Sequence, residues 1–228
     1  TRLYPEPISK EVKQRLRYEL KIINDLNFTT YFLIVWDIVR EARVRGIPSI
    51  GRGSAANSLV CYALNITEVD PIRHNLHFER FLNPERTDYP DIDIDFPSNR
   101  RDEILGYVFK KYGQDHVALI SSHVHFRGRS ALREVGKALG ISDREINHLT
   151  SQIPHSIKIS RLSDVRQAIP ECHNLPLEDE PYRSIVPLAQ RIEGFPRYVS
   201  IHCGGIVISP FPITDRIPLQ KTQKGLVV

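Results

Sequence analysis

The 228-residue sequence contains no methionine, three cysteines and no long apolar run. The longest apolar stretch, Tyr31 to Trp36, falls far short of the roughly 18 residues of a membrane-spanning helix. No membrane partner is expected from it. The opening residues, Thr1-Arg2-Leu3-Tyr4-Pro5-Glu6, show no signal-peptide pattern. With no initiator methionine, they read as the cut edge of a longer chain. The cysteines (Cys61, Cys172, Cys203) are odd in number and unpatterned, which argues against a disulfide framework and for reduced thiols in a cytosolic protein. Internal repeats and low-complexity tracts are absent. So are a Walker loop and the G-x-G-x-x-G fingerprint, because neither the Gly-Lys-Ser/Thr ending nor the third glycine occurs at the required spacing.

What the sequence does hold is a row of carboxylates. Tyr89-Pro90-Asp91-Ile92-Asp93-Ile94-Asp95-Phe96 places Asp at i, i+2 and i+4 with isoleucine between. On a β-strand those positions share one face, and the isoleucines face the other way as core anchors. Like charges on one face repel. A neutralising cation resolves the conflict, and carboxylate oxygens suit a hard divalent ion such as Mg²⁺. A solvated acidic face is the other reading of the same pattern. A Ca²⁺ loop is excluded, because Asp102 stands where that loop needs its twelfth-position Glu.

The net charge of +4 says less than its distribution. Residues 100–166 carry twelve Lys and Arg against seven Asp and Glu, so the excess lies after the acidic row. A basic stretch beside an acidic metal site suits a substrate that carries phosphates, and equally suits a solvated surface.

Apolar spacing at Val12, Leu16, Leu20, Ile23 and Leu26 predicts an amphipathic helix over Ser9 to Leu26. A second helix is expected from a Thr29 or Thr30 cap to Gly46. A strand follows at Ile47 to Ile50, then a tight turn, Gly51-Arg52-Gly53-Ser54, and a small-residue helix to Leu64. After the acidic strand, Ser98 is read as capping a helix that ends at Gly113. His116 to Ser121 reads as a strand, and Arg129 to Leu139 as a helix. Ser142 and Glu145 form a capping box. Residues 151–196 are broken by prolines, and Ile206 to Ile208 is a last strand. The turn at 51–54 lies between strand and helix, where free N–H groups and the helix dipole favour an anion. Arg52 could fork onto phosphate oxygens there. A plain helix start is the alternative.

A Gly-Ser turn followed by an Asp-hydrophobic-Asp strand resembles the polymerase-β-like nucleotidyltransferase palm. Longer segments then resemble the C-family bacterial DNA polymerases, the polymerase III α subunit and its error-prone relatives. They are Tyr31-Phe32-Leu33-Ile34-Val35, Gly51-Arg52-Gly53-Ser54-Ala55-Ala56, the stretch Phe78 to Arg86, Pro90 to Phe96, Arg100-Arg101-Asp102-Glu103, Arg133 to Gly140, and His202-Cys203-Gly204-Gly205.

This resemblance implies an α/β palm with a mixed sheet and a mostly helical thumb insertion. The palm would take 1–121, the thumb 122–195, and a returning, incomplete palm segment 196–228. It implies template-directed DNA synthesis, with Asp91 and Asp93 as catalytic, Mg²⁺-binding carboxylates and Asp95 as a supporting residue or possible ligand. Two Mg²⁺ would act in a two-metal displacement. Arg52, Gly53, Ser54, His202 and Gly204 would hold the triphosphate. A Lys usually precedes that His, and Ile201 stands here instead. His202 as a turn or core histidine remains the alternative. Arg127, Arg129, Arg133 and Lys137 would contact duplex phosphates, or else simply face solvent. His123 and His125 form an H-x-H pair with nothing nearby to complete a zinc set. Ser121 to Ala131 departs from the replicative pattern and is closer to the error-prone branch.

The implied partners are primer-template DNA and dNTP. In the full-length protein they include the sliding clamp and other replication or repair subunits, in the bacterial cytoplasm at the nucleoid. The family's third catalytic Asp is expected beyond Val228, so the isolated chain is expected not to polymerise. A non-catalytic duplex-binding scaffold and a nucleotidyltransferase acting on a small molecule or protein are the alternative functions.

Overall fold

A computed structural model describes residues 3–85, 88–155, 157–173, 175–222, 225 and 227–228. Arg86, in the Phe78–Arg86 segment, lies outside them. The chain forms two compact units, Thr1–Gln114 and Asp115–Val228. The expected palm–thumb border at 121/122 instead falls inside a strand that runs from Val117 to His125.

In the first unit, α1 (Lys10–Asp25) starts where Ser9 accepts a hydrogen bond from the Val12 N–H. Its inward stripe differs from the expected one at two adjacent positions. Leu20 is 49 % exposed, whereas Glu19 is fully buried. α2 (Thr29–Val44) begins one residue earlier than expected, with Phe28 at the cap and no side-chain capping bond. Gly46, just past the Arg45 C-cap, takes φ +63°, which suits a residue without a Cβ. The two helices enclose a core of Ile22, Ile23, Phe32, Val35 and Val39 with Phe78, Phe81 and Leu82.

Two three-residue strands, β1 (Ile50–Arg52) and β2 (Asp93–Asp95), pair antiparallel beside this core. A 3-10 turn, Gly53–Asn57, leads from β1 to the short helix α3 (Leu59–Ala63). After β2, α4 (Arg101–Tyr112) starts without a side-chain cap, three residues beyond the Ser98 cap read from sequence. Gly113 closes it at φ +93°.

α4 is pinned to α2 by one buried carboxylate. Asp37 accepts hydrogen bonds from Tyr107 at 2.8 Å and Tyr112 at 3.0 Å, and pairs with Lys111. Burial alone raises the Asp37 carboxyl. The bonds from Lys111, Tyr107 and Tyr112 together outweigh it and hold the group below its ordinary 3.8. A depressed carboxyl contributes stability above its unfolded-state value and loses it as pH falls through the folded one. Asp37→Asn is therefore expected to be less stable than wild type at neutral pH and to flatten the acid limb below about pH 4. Urea midpoints measured from pH 2 to 7 check this, and parallel acid limbs would contradict it.

In the second unit, β3 (Val117–His125) and β4 (Pro196–Ile208) pair antiparallel with irregularities at Leu119/Ser121 and Val124/His125. Both outrun their expected lengths of His116–Ser121 and Ile206–Ile208. The breakers that hid β4, Pro196 and the Gly204-Gly205 pair, are tolerated because among the described residues it pairs on one side only. Between the strands lie α5 (Gly128–Ala138), α6 (Asp143–Gln152), α7 (Leu162–Ala168) and α8 (Tyr182–Ile192). The Ser142/Glu145 capping box forms as read. α8 accommodates Pro187 in its interior, so a helix stands where the prolines argued for none. These helices share a core of Leu132, Ile146, Leu149, Leu162, Ile185 and Ala189.

Among the described residues the strands form two two-stranded sheets, one per unit, rather than one mixed sheet. β1 and β2 are too short, at three residues each, to carry a larger ladder.

Candidate active site

The acidic row sits against the Gly-Arg-Gly-Ser turn because β1 and β2 pair with Ile50 opposite Asp95, Gly51 opposite Ile94 and Arg52 opposite Asp93. Ile92 and Ile94 pack on the core of the first unit, and Asp91, Asp93 and Asp95 are exposed, as period-two alternation requires. The row is anchored upstream. The Tyr31 hydroxyl donates to the Pro90 carbonyl at 2.6 Å, and the Tyr89 ring stands 4.8 Å from that of Phe28.

The cation that faces the row is Arg52. Its Nε lies 2.9 Å and 3.0 Å from the two oxygens of Asp95, and its Nη1 lies 3.3 Å from Asp93. The hydrogen bond that Arg52 donates to Asp95 comes first, then the charges of Asp95 and Asp93, in holding the guanidinium still more firmly protonated. All three side chains are more than half exposed. Gly53 follows at φ +70°, and a Cβ there would stand 3.4 Å from Asp93 Oδ2. Ser54 reaches back to the Asp91 carbonyl at 3.5 Å. Arg52, Gly53 and Ser54 are thus gathered with Asp91, Asp93 and Asp95 at one edge of the small sheet. Among the described residues no group of three or more His, Cys, Asp or Glu is placed to hold a metal ion. Two exposed carboxylates nevertheless suit Mg²⁺, which binds through one or two carboxylates and keeps waters or substrate phosphates for its other positions.

The helix-dipole argument for the turn needs correction. The residues after Gly53 form a 3-10 turn, and α3 starts only at Leu59. Its first N–H groups are already taken. Glu19 accepts from Leu59 N and Val60 N, each at 3.0 Å, and from the Ser58 hydroxyl at 2.8 Å. Arg15 pairs with Glu19 at 2.6 Å and donates to the carbonyls of Asn57 and Leu76. The Asn57 amide donates to the Ser54 carbonyl at 2.9 Å, closing the turn.

In the second unit, His202 Nδ1 accepts from the backbone N–H groups of Gly204 (3.3 Å) and Gly205 (2.9 Å). Its protein bonds are those of a turn histidine, and its ring stays exposed. Arg129 reaches the Ile153 and Ser151 carbonyls and His155. Arg133 bonds Thr150 at 3.3 Å, so both arginines tie α5 to the end of α6. Lys137 pairs with Asp143 at 3.0 Å, and Arg127 is exposed just before α5. His123 and His125 lie on β3 opposite Val199 and Pro196.

Residues 1–228 match the family described as Bacterial DNA polymerase III alpha NTPase domain. This chain belongs to that family. It is 47 % identical over 214 residues to the DNA polymerase III subunit alpha of Bacillus subtilis, covering 93 % of this chain and 19 % of that protein. It is 44 % identical over 221 residues to the error-prone DNA polymerase of Symbiobacterium thermophilum, covering 97 % of this chain and 20 % of that protein. The Thermus aquaticus polymerase III subunit alpha is 41 % identical over 219 residues, with 95 % and 18 % covered. The chain therefore spans about a fifth of the length of these curated relatives. Replicative and error-prone names occur at similar identity. Among the described residues no single helix is long and apolar enough to cross a membrane.

Beside the polymerase-family turn, Glu19 escaped the sequence reading, and Gly51 was read only as part of the turn. Glu19 had a signal, since it lies seven residues after Val12 on the stripe that α1 buries and four after Arg15. Gly51 is set by close approach, because a Cβ there would stand 2.1 Å from the Ile66 carbonyl oxygen. Backbone cannot yield as a flexible side-chain tip does. Gly51→Ala is expected to cost about 1–3 kcal/mol, the range for overpacking. A denaturant midpoint equal to wild type would show that β1 shifts freely.

Proposed function

We propose that the chain is the palm and thumb portion of a C-family DNA polymerase, acting in template-directed transfer of a nucleotidyl group from dNTP to a primer 3′-OH. The observation that carries the reading is the β1–β2 register, which sets Arg52, Gly53 and Ser54 against Asp91, Asp93 and Asp95. The α/β content and the family membership support it. In this reading the first unit supplies the polymerase-β-like palm site, β3 and β4 frame the thumb, and the helices between them grip the duplex. The exposed Arg127 and Lys137 are better placed for phosphates than Arg129 and Arg133, whose guanidinium groups hold α5 to α6.

Asp91 and Asp93 hold the metal, and their donor set of hard oxygens fits Mg²⁺. The chemistry supplied by two bound Mg²⁺ is a lowered pKa at the primer 3′-OH and neutralisation of charge at the α-phosphate and the leaving pyrophosphate. Arg52 and the Ser54 hydroxyl orient the triphosphate. Gly53 keeps the approach to Asp93 free of a side chain. Primer-template DNA and dNTP are the partners, with the sliding clamp and other replication or repair subunits joining in the full-length protein. Its place is the cytoplasm, at the nucleoid.

One observation favours a second reading. Arg52 already pairs with two of the row's three carboxylates, Asp93 and Asp95, so the row also fits a duplex-binding scaffold without catalysis. Primer extension by the full-length polymerase decides between them. The double variant Asp91→Asn/Asp93→Asn is expected to bind primer-template and make no product, and wild-type synthesis by it would leave the scaffold reading standing.

A further inference from the structure

The contact between Arg52 and the acidic row is lopsided. Nε stands 2.9 Å and 3.0 Å from both oxygens of Asp95, while Nη1 stands 3.3 Å from one oxygen of Asp93. The register places Arg52 directly opposite Asp93, so the guanidinium crosses the strand diagonally to reach Asp95. Resting on the reading of Asp91 and Asp93 as metal ligands, we propose that Arg52 is the resting counterion of this row and exchanges with a divalent cation, giving up Asp93 while staying on Asp95. Asp95 is then a positioning residue rather than a ligand, and it keeps the guanidinium beside the turn.

Three features make the exchange physically ready. The partners are more than half exposed, and exposed ion pairs are weak enough to be traded. A divalent ion offers Asp93 twice the charge of a guanidinium. Once released from Asp93, Nη1 is a spare donor next to Gly53 and Ser54, where a phosphate oxygen would accept from it. One side chain thus pairs with Asp93 and Asp95 in the resting site and faces the substrate anion in the loaded one.

The test is the affinity of the 228-residue chain for Mn²⁺ without nucleotide. It is read as free Mn²⁺ by electron paramagnetic resonance, with circular dichroism confirming that each variant is folded. Arg52→Gln is expected to tighten Mn²⁺ binding about fivefold, because it removes a competing cation at ion-pair distance. Asp95→Asn alone is expected to weaken binding, since Arg52 is left with Asp93. In the Arg52→Gln background, Asp95→Asn is expected to change binding by less than about twofold. Unchanged or weaker binding by Arg52→Gln would overturn the exchange. An equal loss from Asp95→Asn in both backgrounds would overturn it too, by making Asp95 a ligand. Wild-type Mn²⁺ affinity in Asp91→Asn/Asp93→Asn would sink the metal-site reading itself and the exchange with it. That result is distinct from a site that binds Mn²⁺ through Asp91 and Asp93 but ignores Arg52.

Discussion

Primer extension by the full-length polymerase carrying Asp91→Asn and Asp93→Asn is expected to fall by at least about 10³-fold, the order of loss when fixed electrostatic stabilisation of a reacting phosphate is removed. Asparagine keeps the size of each side chain and removes only its charge. The strand should hold its place, because Ile92 and Ile94 stay on the core and Tyr31 still donates to the Pro90 carbonyl. Affinity for primer-template is expected to stay within about twofold, since the proposed reading assigns duplex grip to phosphate contacts made elsewhere. The single variant Asp95→Asn should lose much less, because Asp95 holds Arg52 rather than the reacting groups. Should the double variant extend primers as wild type does, the row's purpose is to seat Arg52 and the catalytic reading is wrong.

Replacing Glu19 by alanine is expected to destabilise the first unit by about 3–5 kcal/mol, the cost of breaking a buried ionic pair from one side. The carboxylate is fully buried and serves four donors: the Ser58 hydroxyl, the Leu59 and Val60 N–H groups, and Arg15. Truncation orphans the N–H groups of a helix only five residues long, which cannot satisfy them within itself. Arg15 would keep two carbonyl partners but lose its counter-charge. Trp36, the single tryptophan, lies in α2, so its fluorescence during denaturant unfolding reports on this unit. Glu19→Gln, able to accept on one oxygen, should fall between. A loss below about 1 kcal/mol for the alanine variant would mean that water replaces the carboxylate.

Features governed by neighbours along the chain were legible in the sequence. The helix read over Ser9 to Leu26, the Ser142/Glu145 box and the alternation of Asp with Ile depend on residues a few positions apart, and all are present. Features governed by tertiary pairing were not. That Arg52 faces the row depends on the β1–β2 register, which no local pattern specifies. The exchange of Leu20 for Glu19 on the buried face of α1 depends on what α3 needs at its N-terminus, forty residues away. The true length of β4 was hidden because Pro and Gly are read as breakers, whereas a strand paired on one side tolerates both. α8 was hidden by Pro187 for a similar reason, its helix held by the burial of Ile185 and Ala189.

The pairing of β3 with β4 has a consequence for how such a protein can change. Phe126 N–H donates to the Phe195 carbonyl at 2.9 Å, and Gly194 N–H donates to the Phe126 carbonyl at 2.9 Å. Everything between them leaves and re-enters the fold at one doorway, and it carries an apolar centre of its own. The entropy of closing such an excursion grows only with the logarithm of its length. The helices can therefore be lengthened, trimmed or exchanged as a cassette while the framing strands keep register. A lineage can reshape that helical cassette without touching the β1–β2 register that gathers Arg52 with Asp93 and Asp95.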